Sequence, residues 1–116
     1  MRKVCGAFVV GVLSLGVMSQ AVQAAEESGK DIAFNRAKGN CLACHGMPTV
    51  PDAESTGTYG PPLIAMDARY PDKAQLRAKI WDATASNPNS VMIPFGKHQV
   101  LTEQEIDKVL DFIYGL

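Results

Sequence analysis

The chain has 116 residues, with 11 Lys and Arg against 12 Asp and Glu and a formal net charge of −1. That length suits a single small domain, and the faintly acidic balance argues against a nucleic-acid partner. There is no internal repeat, low-complexity tract or alternating strand pattern, so the expected fold class is all-α.

Residues 1–24 read as a secretory signal. Arg2 and Lys3 give a positive start, Cys5 to Met18 is almost wholly apolar, and Val22-Gln23-Ala24 offers small residues for a cut after Ala24. The apolar run is too short for a membrane span, and no later run is apolar enough to be one. Cys5 lies too early for a lipoprotein cleavage site. Residues 25–116 are the expected mature domain. It is more acidic once Arg2 and Lys3 are gone, and it keeps only Cys41 and Cys44 of the three cysteines.

A first helix is expected from Ser28, with Asp31 three residues on as an imperfect capping box. Ala33, Phe34, Ala37 and Cys41 fall on one helical stripe. The helix would run directly into Cys41-Leu42-Ala43-Cys44-His45, with Gly39 weakening its last turn. This string has the form C-x-x-C-H, the attachment site of a c-type haem. Two thiols at that spacing can add to the two vinyl groups of one porphyrin, which brings the next imidazole under the iron. Haem c attachment takes place outside the cytoplasmic membrane in bacteria, so the motif and the signal together imply a periplasmic protein. The competing readings are a redox-active or a zinc-binding cysteine pair. Zinc needs two further ligands, and His98 is the only other histidine. A thioredoxin-like pair needs a βαβ pattern.

Gly46 to about Arg69 reads as an irregular stretch rich in proline and glycine. A second helix is expected after Tyr70-Pro71, capped by Asp72, with Leu76, Ile80 and Ala83 as its apolar stripe and Asn87-Pro88 as its stop. Ser86 to Leu101 is a second irregular stretch. A third helix opens at Thr102 with a T-x-x-E box to Glu105, and Ile106, Val109, Leu110 and Ile113 make its buried stripe. Loops this long in a small domain imply a task, and wrapping a flat prosthetic group is one.

A six-coordinate haem iron needs a ligand from the far side. Met92 is preferred because prolines at 88 and 94 constrain its loop, and a Met/His pair raises the reduction potential. His98 and Met66 are rivals, and an open site is the remaining reading. Met47 lies too near His45 to reach the opposite face and reads as core. On the second helix, Trp81 forms a second apolar stripe with Ala74 and Ala78. It reads either as a partner interface or as a ring tucked under a loop or haem edge. Phe112 also lies off the stripe of its helix and adds to the interface reading. With both cysteines spent on haem, no thiol nucleophile remains. No Ser/His/Asp set or paired carboxylate cluster is readable.

Gly60-Pro61-Pro62-Leu63 resembles a G-P-x-L segment of class I cytochromes c. The resemblance implies that the Pro61 carbonyl accepts the Nδ1–H of His45 and that Leu63 packs on the ring; the plain alternative is a rigid turn. It also implies that the first and last helices cross near one haem edge. Over residues 36–116 the likeness narrows. Lys38-Gly39-Asn40 before the motif, the 60–63 segment, Leu76-Arg77, Ile80-Trp81-Asp82, the Asn87 to Gly96 loop and Leu101-Thr102 together are similar to the SoxX family. Ile93 departs from the pattern, since many relatives have proline directly after the methionine.

The resemblance implies a monohaem electron-transfer subunit of a SoxAX complex, which joins thiosulfate oxidatively to a cysteine of the carrier SoxYZ. In that family the chemistry belongs to the SoxA partner, and SoxX passes electrons to a small cytochrome. The alternatives are a free periplasmic shuttle and a ligand-binding sensor cytochrome.

Overall fold

The structure is a computed structural model and describes residues 26–116. The leader read over residues 1–24, with its cut after Ala24, lies outside the described residues.

Helix α1 spans Gly29–Phe34. Ser28 Oγ accepts from the Asp31 amide at 3.1 Å and the Asp31 carboxylate accepts from the Ser28 amide at 3.2 Å. Two otherwise unpaired donors are satisfied reciprocally. The helix stops six residues short of Cys41, in contrast to the continuous helix expected from the sequence. The cause is local. The Asn35 side chain takes the Ala37 amide at 2.9 Å, a turn that competes with the helical bond. Asn40 then adopts a left-handed backbone at φ 46°. The stripe is corrected accordingly: Ile32 and Ala33 are buried, whereas Ala37 is exposed. Cys41–Ala43 forms a separate 3-10 turn.

A one-turn helix, α2 (Met66–Arg69), interrupts the first irregular stretch, where no helix is expected. Four residues cannot hold a helix by propensity alone. Its first amide instead donates to the Leu116 carbonyl at 3.1 Å, a contact with the C-terminus that no local pattern announces. Helix α3 (Lys73–Asp82) is capped by Asp72, whose carboxylate takes the Ala74 amide at 2.9 Å. Leu76, Ile80 and Ala83 are buried along it. The chain tightens into a 3-10 turn at Ala83–Ala85. Helix α4 (Glu103–Tyr114) starts on the reciprocal Thr102–Glu105 box.

Helix α4 is the post on which the others pack. Ile106, Val109, Leu110 and Ile113 are all buried on one face, each side chain contributing about 1.5–3 kcal/mol as an upper range. Helix α1 crosses it at Gly29, where a Cβ would lie 2.0 Å from the Lys108 carbonyl oxygen. Only a residue without a side chain permits that approach. Phe34 meets Phe112 edge-on, with ring centres 6.2 Å apart. This gives Phe112 a role within the domain: the ring sits off its own helical stripe and, half-buried, seals the α1–α4 crossing. Lys38 ties the same corner together, donating to Glu27 at 2.5 Å and to Glu105 at 2.7 Å. The irregular stretches supply core of their own through Met47, Leu63, Phe95 and Leu101.

Candidate functional site

The Cys41–Ala43 turn is closed by amides of Cys44 and His45, which donate to the Cys41 carbonyl at 3.2 and 2.9 Å. The turn brings Cys41, Cys44 and His45 onto one tight loop. Both thiols are half-buried and are not bonded to each other. Burial pushes the Cys41 thiol up to about 11. A redox-active pair needs the opposite shift, since the thiolate is the nucleophile.

Residues 57–63 run beside this loop and are strapped to it. The amides of Gly57, Gly60 and Leu63 each donate at 2.8 Å, to the carbonyls of Leu42, Cys44 and Gly46. His45 Nδ1 lies 2.7 Å from the Pro61 carbonyl oxygen. A carbonyl can only accept, so Nδ1 carries a proton, and in the neutral ring the lone pair then lies on Nε2. A histidine in that tautomer, held on one side, is set up as a metal ligand on the other. Two glycines make the approach possible. A Cβ on Gly60 would lie 2.2 Å from His45 Cε1, and one on Gly57 would lie 1.9 Å from the Ala43 carbonyl oxygen. Gly60 opens the G-P-x-L segment read from the sequence, whereas Gly57 carries no sequence signal of its own beyond lying three residues before it. Arg69 was missed as well. Its guanidinium donates to the Pro62 carbonyl at 2.8 Å and lies 3.3 Å from Met66 Sδ. Thus α2 props the segment that holds His45. No local pattern could show that.

The candidates for the far ligand separate by environment. Met66 and Met47 are each 2% exposed and belong to the core, and the Met66 sulfur already faces Arg69. His98 is exposed. Met92 is half-buried against the core cluster, on a loop whose own anchorage to Met92 is one bond, from its amide to Ser90 Oγ at 3.2 Å. The firm anchorage lies further on. Gly96 and Lys97 amides donate to the Trp81 carbonyl at 3.2 and 3.3 Å. Lys97 Nζ donates to Asp82 Oδ2 at 2.8 Å. The other Asp82 oxygen takes the Thr84 amide at 3.0 Å and its hydroxyl. Lys97 and Thr84 hold the Asp82 carboxyl down at about 2.

Trp81 itself lies under the loop. A Cβ on Gly96 would come within 2.1 Å of its ring, and the Arg77 guanidinium sits 5.8 Å from the ring centre on the helix side. Of the two readings of Trp81, the structure supports the ring tucked under a loop. Ala74 and Ala78 remain exposed beside it.

These residues fit a flat apolar group with an iron at its centre. Paired thiols and an oriented imidazole share one loop. The large apolar side chains left exposed, Tyr59, Ile64, Val91, Ile93 and Val100, all lie on the two irregular stretches and none on a helix. Among the described residues no group of His, Cys, Asp and Glu gathers into a cation site. No helix among the described residues is long and apolar enough to cross a membrane.

Residues 26–116 match the family model for cytochrome c. An uncharacterized lipoprotein of Aquifex aeolicus (strain VF5) is 32% identical over 78 residues, covering 66% of this chain and 36% of that protein. The chain therefore spans about a third of the length of that curated relative. Among solved structures, a chain of the crystal structure of SoxXA from P. pantotrophus superposes with a TM-score of 0.67 at 29% identity, over 74% of this chain and 77% of that one. With helices only among the described residues and a C-x-x-C-H loop at its centre, this chain belongs to the cytochrome c family, which carries covalent haem c on an all-α class I fold, and within that family it is SoxX-like.

Proposed function

We propose that the chain is the electron-transfer subunit of a SoxAX-type complex, exported to the periplasm after loss of residues 1–24. Haem c supplies a one-electron couple when bound. Cys41 and Cys44 hold it through two thioethers. His45 Nε2, oriented by the Pro61 carbonyl, would bind its iron, and Leu63 would pack beside the ring. Met92 would supply the second iron ligand, a soft thioether that favours ferrous iron and a high potential. Met66 is a poor rival because its sulfur is already engaged in the core.

The observation that carries this reading is the likeness to a chain of SoxXA, at 29% identity over 77% of that chain. The relative named a lipoprotein supports export. The partner is then a SoxA-like cytochrome, and the reaction is the joining of thiosulfate to a cysteine of SoxYZ. A new S–S bond forms, the thiol loses its proton, and two electrons leave. This chain has no free thiol once haem is attached, so the bond forms on the partner side. A haem held here would carry those electrons one at a time to a small cytochrome.

Coexpression with a SoxA-like subunit tests the reading. The two should copurify as a heterodimer and, with an oxidised cytochrome acceptor, add thiosulfate to SoxYZ in a mass assay. A chain that stays monomeric and supports no adduct is a free shuttle. Carbon monoxide binding to the native ferrous protein would instead mark a ligand-binding sensor.

A further inference from the structure

We propose that the C-terminal end of α3, through Trp81 and Asp82, is the device that positions Met92, with Lys97 as its latch. This rests on the reading of Met92 as the far ligand. Met92 is held locally by a single amide bond to Ser90, and its neighbours Val91 and Ile93 are 79% and 50% exposed. A segment so lightly packed does not place a sulfur atom by itself. Residues 95–97, directly after it, are by contrast fixed in four ways. Phe95 is buried. Gly96 lies flat on the Trp81 ring, where no side chain fits. Two successive amides share the Trp81 carbonyl. The Lys97 ammonium reaches back to Asp82.

That carbonyl is available because α3 ends there. The last carbonyls of a helix lack an intrahelical donor, and here the loop supplies two. Asp82 is shared in the same way, one oxygen capping the Ala83–Ala85 turn and the other binding Lys97. The end of the helix and the position of the loop are thereby one structure. Through α3 the loop is also tied to the core stripe of Leu76 and Ile80. Lys97 is a positioning residue in this scheme; it is five residues from Met92 and its charge is spent on Asp82.

The test uses haem-loaded Lys97→Met, which keeps the aliphatic stem and removes only the charge. Lys97→Arg serves as the conservative rescue. One readout is amide exchange at Gly96 and Lys97, which reports the latch without reference to iron. The other is the rate at which cyanide enters the ferric protein, which requires Met92 to leave. Both should rise about tenfold in Lys97→Met, the scale of one charge-assisted hydrogen bond, and return towards wild type in Lys97→Arg. The far-UV helical signal at 25 °C should match wild type.

Unchanged amide exchange in Lys97→Met overturns the latch. Faster exchange with unchanged cyanide entry overturns its positioning role. The underlying assignment fails separately: a sulfur-to-iron band that survives in Met92→Ala, with every α3 contact intact, removes Met92 as ligand whatever the latch does.

Discussion

Gly60→Ala probes the contact on which the near side of the site depends. The added Cβ would sit 2.2 Å from His45 Cε1, 2.5 Å from Nδ1 and 2.7 Å from Nε2. Carbon atoms pack at about 3.5–4.0 Å, so the ring has to retreat by roughly 1.3 Å or more. Gly60 cannot yield instead, because its amide is bonded to Cys44 at 2.8 Å and the next residue is proline. A retreat of that size carries Nδ1 out of reach of the Pro61 oxygen, now 2.7 Å away.

Overpacking costs about 1–3 kcal/mol and the lost hydrogen bond about 1 kcal/mol more. For a domain of this size each kcal/mol lowers Tm by about 4–8 °C, which puts the expected fall at roughly 8–30 °C. An imidazole without its carbonyl partner is also a weaker donor, so the reduction potential should rise. Thermal melts followed in the far-UV, with potentiometry of the haem, measure both. A variant with an unaltered potential and a Tm within about 2 °C of wild type would refute the contact.

Met92→Ala should abolish the sulfur-to-iron charge-transfer band of the ferric protein and lower the potential, whereas Met66→Ala should keep the band while losing stability; optical spectroscopy and potentiometry of the pair decide between them. Ile106→Ala removes a side chain that is fully buried on α4 and should cost about 2–5 kcal/mol in denaturant unfolding, as large-to-small core changes do. The Asp82 carboxyl ordinarily titrates near 3.8 and is held at about 2 in the fold, so its contribution is complete above pH 3.8 and is lost as pH falls through about 2. Acid unfolding of Asp82→Asn should therefore lack the part of the loss that wild type shows in that window, and identical acid profiles would count against the Lys97 pairing.

The helices were legible because their signals are local. Asp72 before α3 and Thr102 with Glu105 before α4 cap within three residues of themselves, and the spacing of Ile106, Val109, Leu110 and Ile113 is a property of the segment alone. The C-x-x-C-H string was legible for the same reason, since attachment chemistry needs the five positions in order. Where the sequence fell short, the deciding atoms belonged to another part of the chain. Helix α2 exists because the Leu116 carbonyl meets the Met66 amide. Phe112 has an off-stripe position because α1 crosses α4 at Gly29. The early end of α1 is the exception, a local competition at Asn35 that the helical wheel does not weigh.

By itself the sequence determined the attachment loop, the two long capped helices and the family likeness, all of which follow from order and spacing along the chain. Only the tertiary structure decided which methionines are spent on the core, which glycines let the 57–63 segment close on His45, and that Lys97 reaches back to Asp82. Those choices depend on distances between residues far apart in the chain. No pattern within one segment encodes such a distance, because it is set by how the helices pack.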